Sequence, residues 1–160
     1  MNVQISREFT ARMKSLEWDE VKVAIQLGYL HVDSAVDYAI KLIENGSVES
    51  IVLELASYDF GDTLEIQDCL NRLKSNERFV FNKKKWAMIL LTFGFEHRDE
   101  LAEPLQFIEE IYAEFDYPEE IAHLVRYMPY EGHPRNLMQD WEHFIDMNVY
   151  GDLVFRNQNP

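Results

Sequence analysis

At 160 residues, with 47% hydrophobic and 13% aromatic side chains, the chain has the composition of a folded globular protein rather than a disordered one. Its net charge of −14 argues against nucleic acid or an anionic membrane surface as a partner, since both need a positive footprint, and favours association with a basic protein. The longest apolar run, Trp86 to Leu91, is far too short to span a bilayer, no signal peptide is visible, and Cys69 has no second cysteine to pair with, which together predict a reducing cytoplasm.

Aliphatic residues recur at helical spacing along the chain. Val3, Phe9 and Met13 mark a short, weakly amphipathic first helix within residues 1–14. Ser15 is placed to cap a second, with Trp18, Val21, Ala24 and Ile25 on one face and Gly28 at its end. Asp33 is the expected cap of a third, with Val36, Ala39, Ile40 and Ile43 as its buried face and Asn45-Gly46 closing it. Ser47 opens a fourth, with Val48, Ile51, Val52 and Leu55 in the same pattern. After a loop at Tyr58-Asp59-Phe60-Gly61, Asp62 and Glu65 have the spacing of a capping box for a fifth helix that buries Ile66, Cys69, Leu70 and Leu73.

Lys83-Lys84-Lys85 leads into a sixth helix with Trp86, Ile89, Leu90 and Phe93 inward and Gly94 at its end. Asp99 is the expected cap of a seventh, along which Leu101, Leu105, Ile108, Tyr112 and Phe115 form a stripe. The stretch from Phe115 to Gly132 has the clearest punctuation. Pro118 suits the first helical position, Glu119 and Glu120 suit the positive end of the dipole, and Ile121, Leu124, Val125 and Met128 follow at i, i+3, i+4 and i+7 before Pro129 stops the helix. A ninth helix carries Leu137, Trp141, Phe144 and Ile145, and the tail after Gly151 is expected to be loose. No segment alternates with period two for long; Val149 to Phe155 could supply one short strand at most. The expected fold is all-α, about nine amphipathic helices in a single domain over residues 1–160.

The run through Trp18, Gly28 and Asp33 is echoed by Trp86, Gly94 and Asp99. In each, a Trp-bearing helix ends at a Gly followed by an aromatic (Tyr29, Phe95), and an Asp follows five residues after the Gly. Residues 15–58 and 82–130 would then be two related helical triplets packed as a short solenoid-like bundle.

No stretch commits to a reaction. There is no phosphate loop, no G-x-G-x-x-G, no C-x-x-C and no nucleophile elbow, and Cys69 falls on an apolar stripe where a cysteine behaves as a small hydrophobe. Glu120-x-x-His123 and Asp140-x-x-His143 each place a carboxylate and an imidazole one turn apart, as di-metal helical bundles do, but they fall on successive helices with no bridging glutamate at a defined spacing. Charge position is more informative. From Glu96 to Glu120 ten acids face one basic residue, Arg98, and Glu103, Glu110 and Glu114 are expected on the solvent side of the seventh helix. Tyr58, Phe60, Tyr117, Tyr127 and Tyr130 lie at helix ends or in loops among acids, the mixture that suits an interface with aromatic anchors and a charge-selective rim.

Trp18-Asp-Glu-Val, Asp37-Tyr-Ala-Ile, Phe115-Asp-Tyr-Pro-Glu-Glu-Ile, Arg126-Tyr-Met-Pro and Leu137-x-x-x-Trp141-x-x-Phe144 resemble a bacterial domain family of unknown function over nearly the whole chain, with Phe-Asp-Tyr-Pro the most distinctive motif. Small acidic proteins of this kind are similar to the immunity proteins that bacteria make alongside toxins of contact-dependent competition. The resemblance implies neutralisation of a cognate toxin, often a nuclease with a basic cleft, and supplies no catalytic residue. The expected partner-binding residues are Tyr58, Asp59, Asp62, Glu103, Glu110, Glu114, Asp116, Tyr117, Glu119, Glu120, Tyr130 and Glu131, with no cofactor, metal, nucleic acid or membrane. Two other readings stand beside it: a metal-dependent enzyme using Glu120, His123, Asp140 and His143, and a helical-repeat adaptor.

Overall fold

The computed structural model describes residues 1, 3–13, 16–132 and 134–149, and among these it contains nine α-helices and no β-sheet, with one parallel bridge between Ile5 and Leu30. The all-α expectation holds. Ser15 and the strand considered at Val149 to Phe155 fall wholly or mostly outside the described residues. The chain divides into two compact units at Phe81–Asn82.

In the unit Asn2–Phe81 the helices are α1 (Arg7–Arg12), α2 (Trp18–Gln26), α3 (Ser34–Glu44), α4 (Ser50–Ala56) and α5 (Thr63–Arg72). The hub is α3, which packs against α1, α4 and α5. Its buried face is made of small residues, Ala35, Val36 and Ala39, so neighbouring backbones can come close. Val52 and Leu55 of α4 and Ile66, Cys69 and Leu70 of α5 are buried, and each large aliphatic among them contributes about 1.5–3 kcal/mol by leaving water. Gly28 and Gly46 end α2 and α3 as expected, at φ +79° and +97°.

Several local expectations are corrected here. Helix α4 begins at Ser50 with Glu49 as its cap, so Ser47 is not the start and Val48 lies outside the helix, 84% exposed. Ile40 sits at the edge of the α3 face, 39% exposed, and Trp18 is half-buried with its ring edge-on to Tyr38 at 4.6 Å. Asp33 occupies the α3 cap position, yet its carboxylate accepts the Gly61 N–H at 3.1 Å, tying the start of α3 to the loop before α5. Asp62 turns its carboxylate back to the Asp59 N–H at 3.0 Å, so no capping box forms with Glu65.

Glu54 joins α4 to α5. It accepts hydrogen bonds from both Arg72 Nη atoms and from the Tyr58 hydroxyl, at 2.8 Å for the latter. The Arg72 bonds first, and then Tyr58, hold the Glu54 carboxyl below its ordinary value of 4.5. Glu109 and Glu120 are lowered in the same way by hydrogen bonds from Arg126 and Lys84. A lowered carboxyl adds stability above its unfolded value and loses it as pH falls through the lowered folded value. The thermal midpoint is therefore expected to stay level down to about pH 5 and to fall below about pH 4.5. Arg72→Gln should show a shallower fall over that window. A midpoint that declines equally in both proteins would show that the Glu54 bond is not part of the acid response.

The unit Asn82–Pro160 is organised on α6 (Lys83–Glu96), which packs against α7 (Pro104–Glu114) and α9 (Leu137–Val149). Residues 86–94 are all buried, so α6 is a central helix rather than an amphipathic one. Thr92 fits this setting because its hydroxyl donates to the Met88 carbonyl at 2.8 Å. Gly94, expected to end the helix, lies in its interior. A Cβ there would stand 2.0 Å from Cε1 of Phe107, so the glycine is a notch for the α7 ring. The helix ends instead at His97, where Nδ1 lies 2.9 Å from the Phe93 carbonyl oxygen and Arg98 Nη1 donates to that of Phe95 at 2.7 Å. Asp99 does not cap α7, which starts at Pro104 with Glu103 as its cap. The two units are packed differently: the second helix of the first expected triplet is the hub of one, and the first helix of the second is the hub of the other.

Candidate functional site

The helix expected over Pro118 to Met128 is a single turn, α8 (Glu119–Ala122), and the reason lies on both sides of it. At the end of α7 the chain enters the left-handed region twice, at Asp116 (φ 62°) and Tyr117 (φ 59°). The Tyr117 N–H returns to the Tyr112 carbonyl at 2.8 Å and the Asp116 N–H to that of Ala113 at 3.3 Å, the paired bonds of a Schellman ending. Asp tolerates that backbone; a bulky tyrosine does so at a cost. Beyond Ala122 the chain runs in three-residue turns, with Val125 N–H to Ala122 and Met128 N–H to Val125. Arg135 donates to the His123 and Met128 carbonyls, groups that a continuing helix would have used for itself. Ile121, Leu124 and Val125 are buried all the same, because turns bring every third residue inward as a helix does.

The three lysines at the start of α6 oppose its dipole, and acids from the α7–α8 junction offset them. Lys83 pairs with Asp116, and Lys84 pairs with Glu120 at 2.6 Å. Two of the residues expected to meet a partner are thus engaged inside the unit. Beside this pairing, Asn82, Lys84, Lys85, Met88, Ile121 and Phe144 line part of a cleft of about 160 Å³. That is well under the roughly 300–1,000 Å³ of small-molecule sites and holds a side chain at most.

The remaining expected residues separate by unit. Tyr58, Asp59 and Asp62 lie in the amino-terminal unit, where Tyr58 and Asp62 are occupied by the bonds to Glu54 and Asp59. In the carboxy-terminal unit Glu103, Glu110, Glu114, Tyr117, Glu119, Tyr130 and Glu131 are exposed. Glu103, Gln106, Glu110 and Glu114 share one stripe of α7, and Tyr117 follows beyond the helix end. Gln106 donates to Glu110 at 3.1 Å. Tyr117 is 62% exposed, and its ring meets the buried Tyr112 ring edge-on at 5.3 Å. Tyr127 is 61% exposed; what burial its phenol has, then Glu109, Tyr112 and Tyr117 nearby, raise its pKa. Glu109 takes both Nε and Nη2 of Arg126, at 2.7 and 2.9 Å. Tyr130 lies under the Arg135 guanidinium, 4.6 Å away. The Glu109–Arg126 pair and the Arg135–His123 contact were not legible in the sequence, because residues 17 and 12 positions apart across irregular chain have no spacing signal.

Among the described residues no three of His, Cys, Asp and Glu are grouped as metal ligands would be. Of the quartet considered above, Glu120 is paired with Lys84, and the His123 ring meets Phe144 edge-on at 5.4 Å. Cys69 is fully buried, 3.8 Å from the Ile51 carbonyl oxygen, and burial pushes its thiol up, away from the reactive thiolate. Among the described residues no helix is long and apolar enough to cross a membrane.

The chain belongs to the bacterial family described as "Uncharacterized protein conserved in bacteria (DUF2247)", whose model matches residues 7–149. No curated protein and no solved structure matches it.

Proposed function

We propose that this family member is a cytoplasmic immunity-type protein that binds and neutralises a cognate toxin domain, a basic nuclease, and that it is not itself an enzyme. The observation that carries this reading is the exposed acidic stripe of α7 together with the exposed tyrosines Tyr117 and Tyr127 in the chain that follows it. Carboxylates along a rim steer a basic partner and speed its arrival, and tyrosines supply contact area at low entropic cost. The net charge of −14 opposes nucleic acid as the alternative partner.

The test is co-expression with the toxin encoded beside the gene. Cells should survive and the two proteins should elute together, with an association rate that falls as salt rises. Continued killing with no complex on a column overturns the reading. Within such a complex, Glu119→Lys is the cleaner charge reversal, since Glu120→Lys would also break the pair with Lys84.

A further inference from the structure

We infer that the partner's anchor point is the Tyr117–Tyr127 face at the end of the α7 acidic stripe, and that this face takes an arginine side chain of a basic protein. The inference rests on the binding function proposed above and names its site and the group recognised.

Three features converge on it. Tyr117 and Tyr127 are 62% and 61% exposed, and Tyr112 links them: its ring meets that of Tyr117, and its hydroxyl stands 4.0 Å from Sδ of Met128, the residue after Tyr127. Tyr112 backs Tyr117 edge-on at 5.3 Å, and the Schellman bonds fix the Tyr117 backbone, so its ring is presented from a rigid base. Exposed carboxylates lie on both sides of Tyr117 along the chain, Glu110 seven residues before it on α7 and Glu119 two residues after it.

A cation bound there meets aromatic faces and carboxylates together. A guanidinium satisfies both, stacking flat on a ring while its edge donates to carboxylate oxygens; an ammonium is a hydrated point charge and cannot do both at once. The unit already uses each half of this chemistry internally, with Arg126 forked onto Glu109 and Arg135 laid over Tyr130. At φ 59° asparagine or glycine is less strained than tyrosine. The tyrosine gains a ring contact with Tyr112 on one side and leaves most of its surface open on the other.

The experiment uses the full-length protein with hexa-arginine and hexa-lysine peptides, followed by calorimetry or tyrosine fluorescence, alongside melting curves. Wild type should bind the arginine peptide about 5-fold or more tightly than the lysine peptide. Tyr127→Ala should abolish that preference. Tyr117→Asn should weaken arginine-peptide binding about 10-fold while its melting curve remains cooperative. Equal affinity for the two peptides or indifference to both substitutions would each overturn the inference. With the neighbouring toxin the two proposals separate. If wild type protects and a variant carrying both Tyr117→Asn and Tyr127→Ala protects equally, only the site is wrong; if wild type does not protect, the function is.

Discussion

Gly94→Ala is expected to destabilise the protein by about 3 kcal/mol, lowering Tm by about 9 °C. The added Cβ would stand 2.0, 2.6 and 2.9 Å from Cε1, Cδ1 and Cζ of Phe107. That ring has nowhere easy to go, being 5% exposed and facing Trp141 at 6.4 Å between centroids. The sign is diagnostic. In a helix interior without such a contact, replacing glycine by alanine stabilises by about 1 kcal/mol. Urea unfolding followed by circular dichroism measures the difference, and Phe107→Leu in the same chain should restore part of the loss. An unchanged or raised midpoint in the single variant would mean that α6 and α7 do not approach as described.

Trp141→Ala is expected to cost about 4 kcal/mol, and Trp141→Phe only about 1–2 kcal/mol. The indole is fully buried, with Phe95 edge-on at 5.3 Å, so truncation leaves a large cavity. Its Nε1 has no hydrogen-bond partner among the described residues, so phenylalanine keeps most of the packing and leaves out an unsatisfied donor. Chemical denaturation of the two variants gives the ranking. Equal losses would show that the N–H, not the ring volume, is what the fold uses at this position.

Both predictions concern residues that the sequence marked correctly in kind and incompletely in role. Trp141 and Ile145 sit at helical spacing and are buried, as the spacing requires. Gly94 reads as a stop because glycine usually ends helices; only a ring from residue 107 reveals it as a notch. The same limit applies to Asp33 and Asp62. Each has the cap residue type, but a short carboxylate takes whichever N–H is nearest, and for Asp33 that N–H belongs to Gly61, 28 positions away. At the candidate site the exposed glutamates of α7 were legible because helical spacing assigns faces, and Tyr117 because it falls at a helix end among acids. The engagement of Asp116 and Glu120 with Lys83 and Lys84 was not, since ion pairs 33 and 36 residues apart depend on how α6 meets the α7–α8 junction.

The amino-acid sequence by itself determined an all-α protein, the aliphatic stripes of most of its helices, a buried Cys69 and an acidic run from Glu96 to Glu120, since period, composition and charge are local properties. Only the tertiary structure decided which helices are hubs, that α6 is buried on all sides, and that the stretch after Phe115 becomes one turn and a chain of bends. The physical reason is common to these cases. A backbone carbonyl or a carboxylate takes the donor that folding brings to it, and Arg135, reaching back 12 and 7 residues to the carbonyls of His123 and Met128, is such a donor.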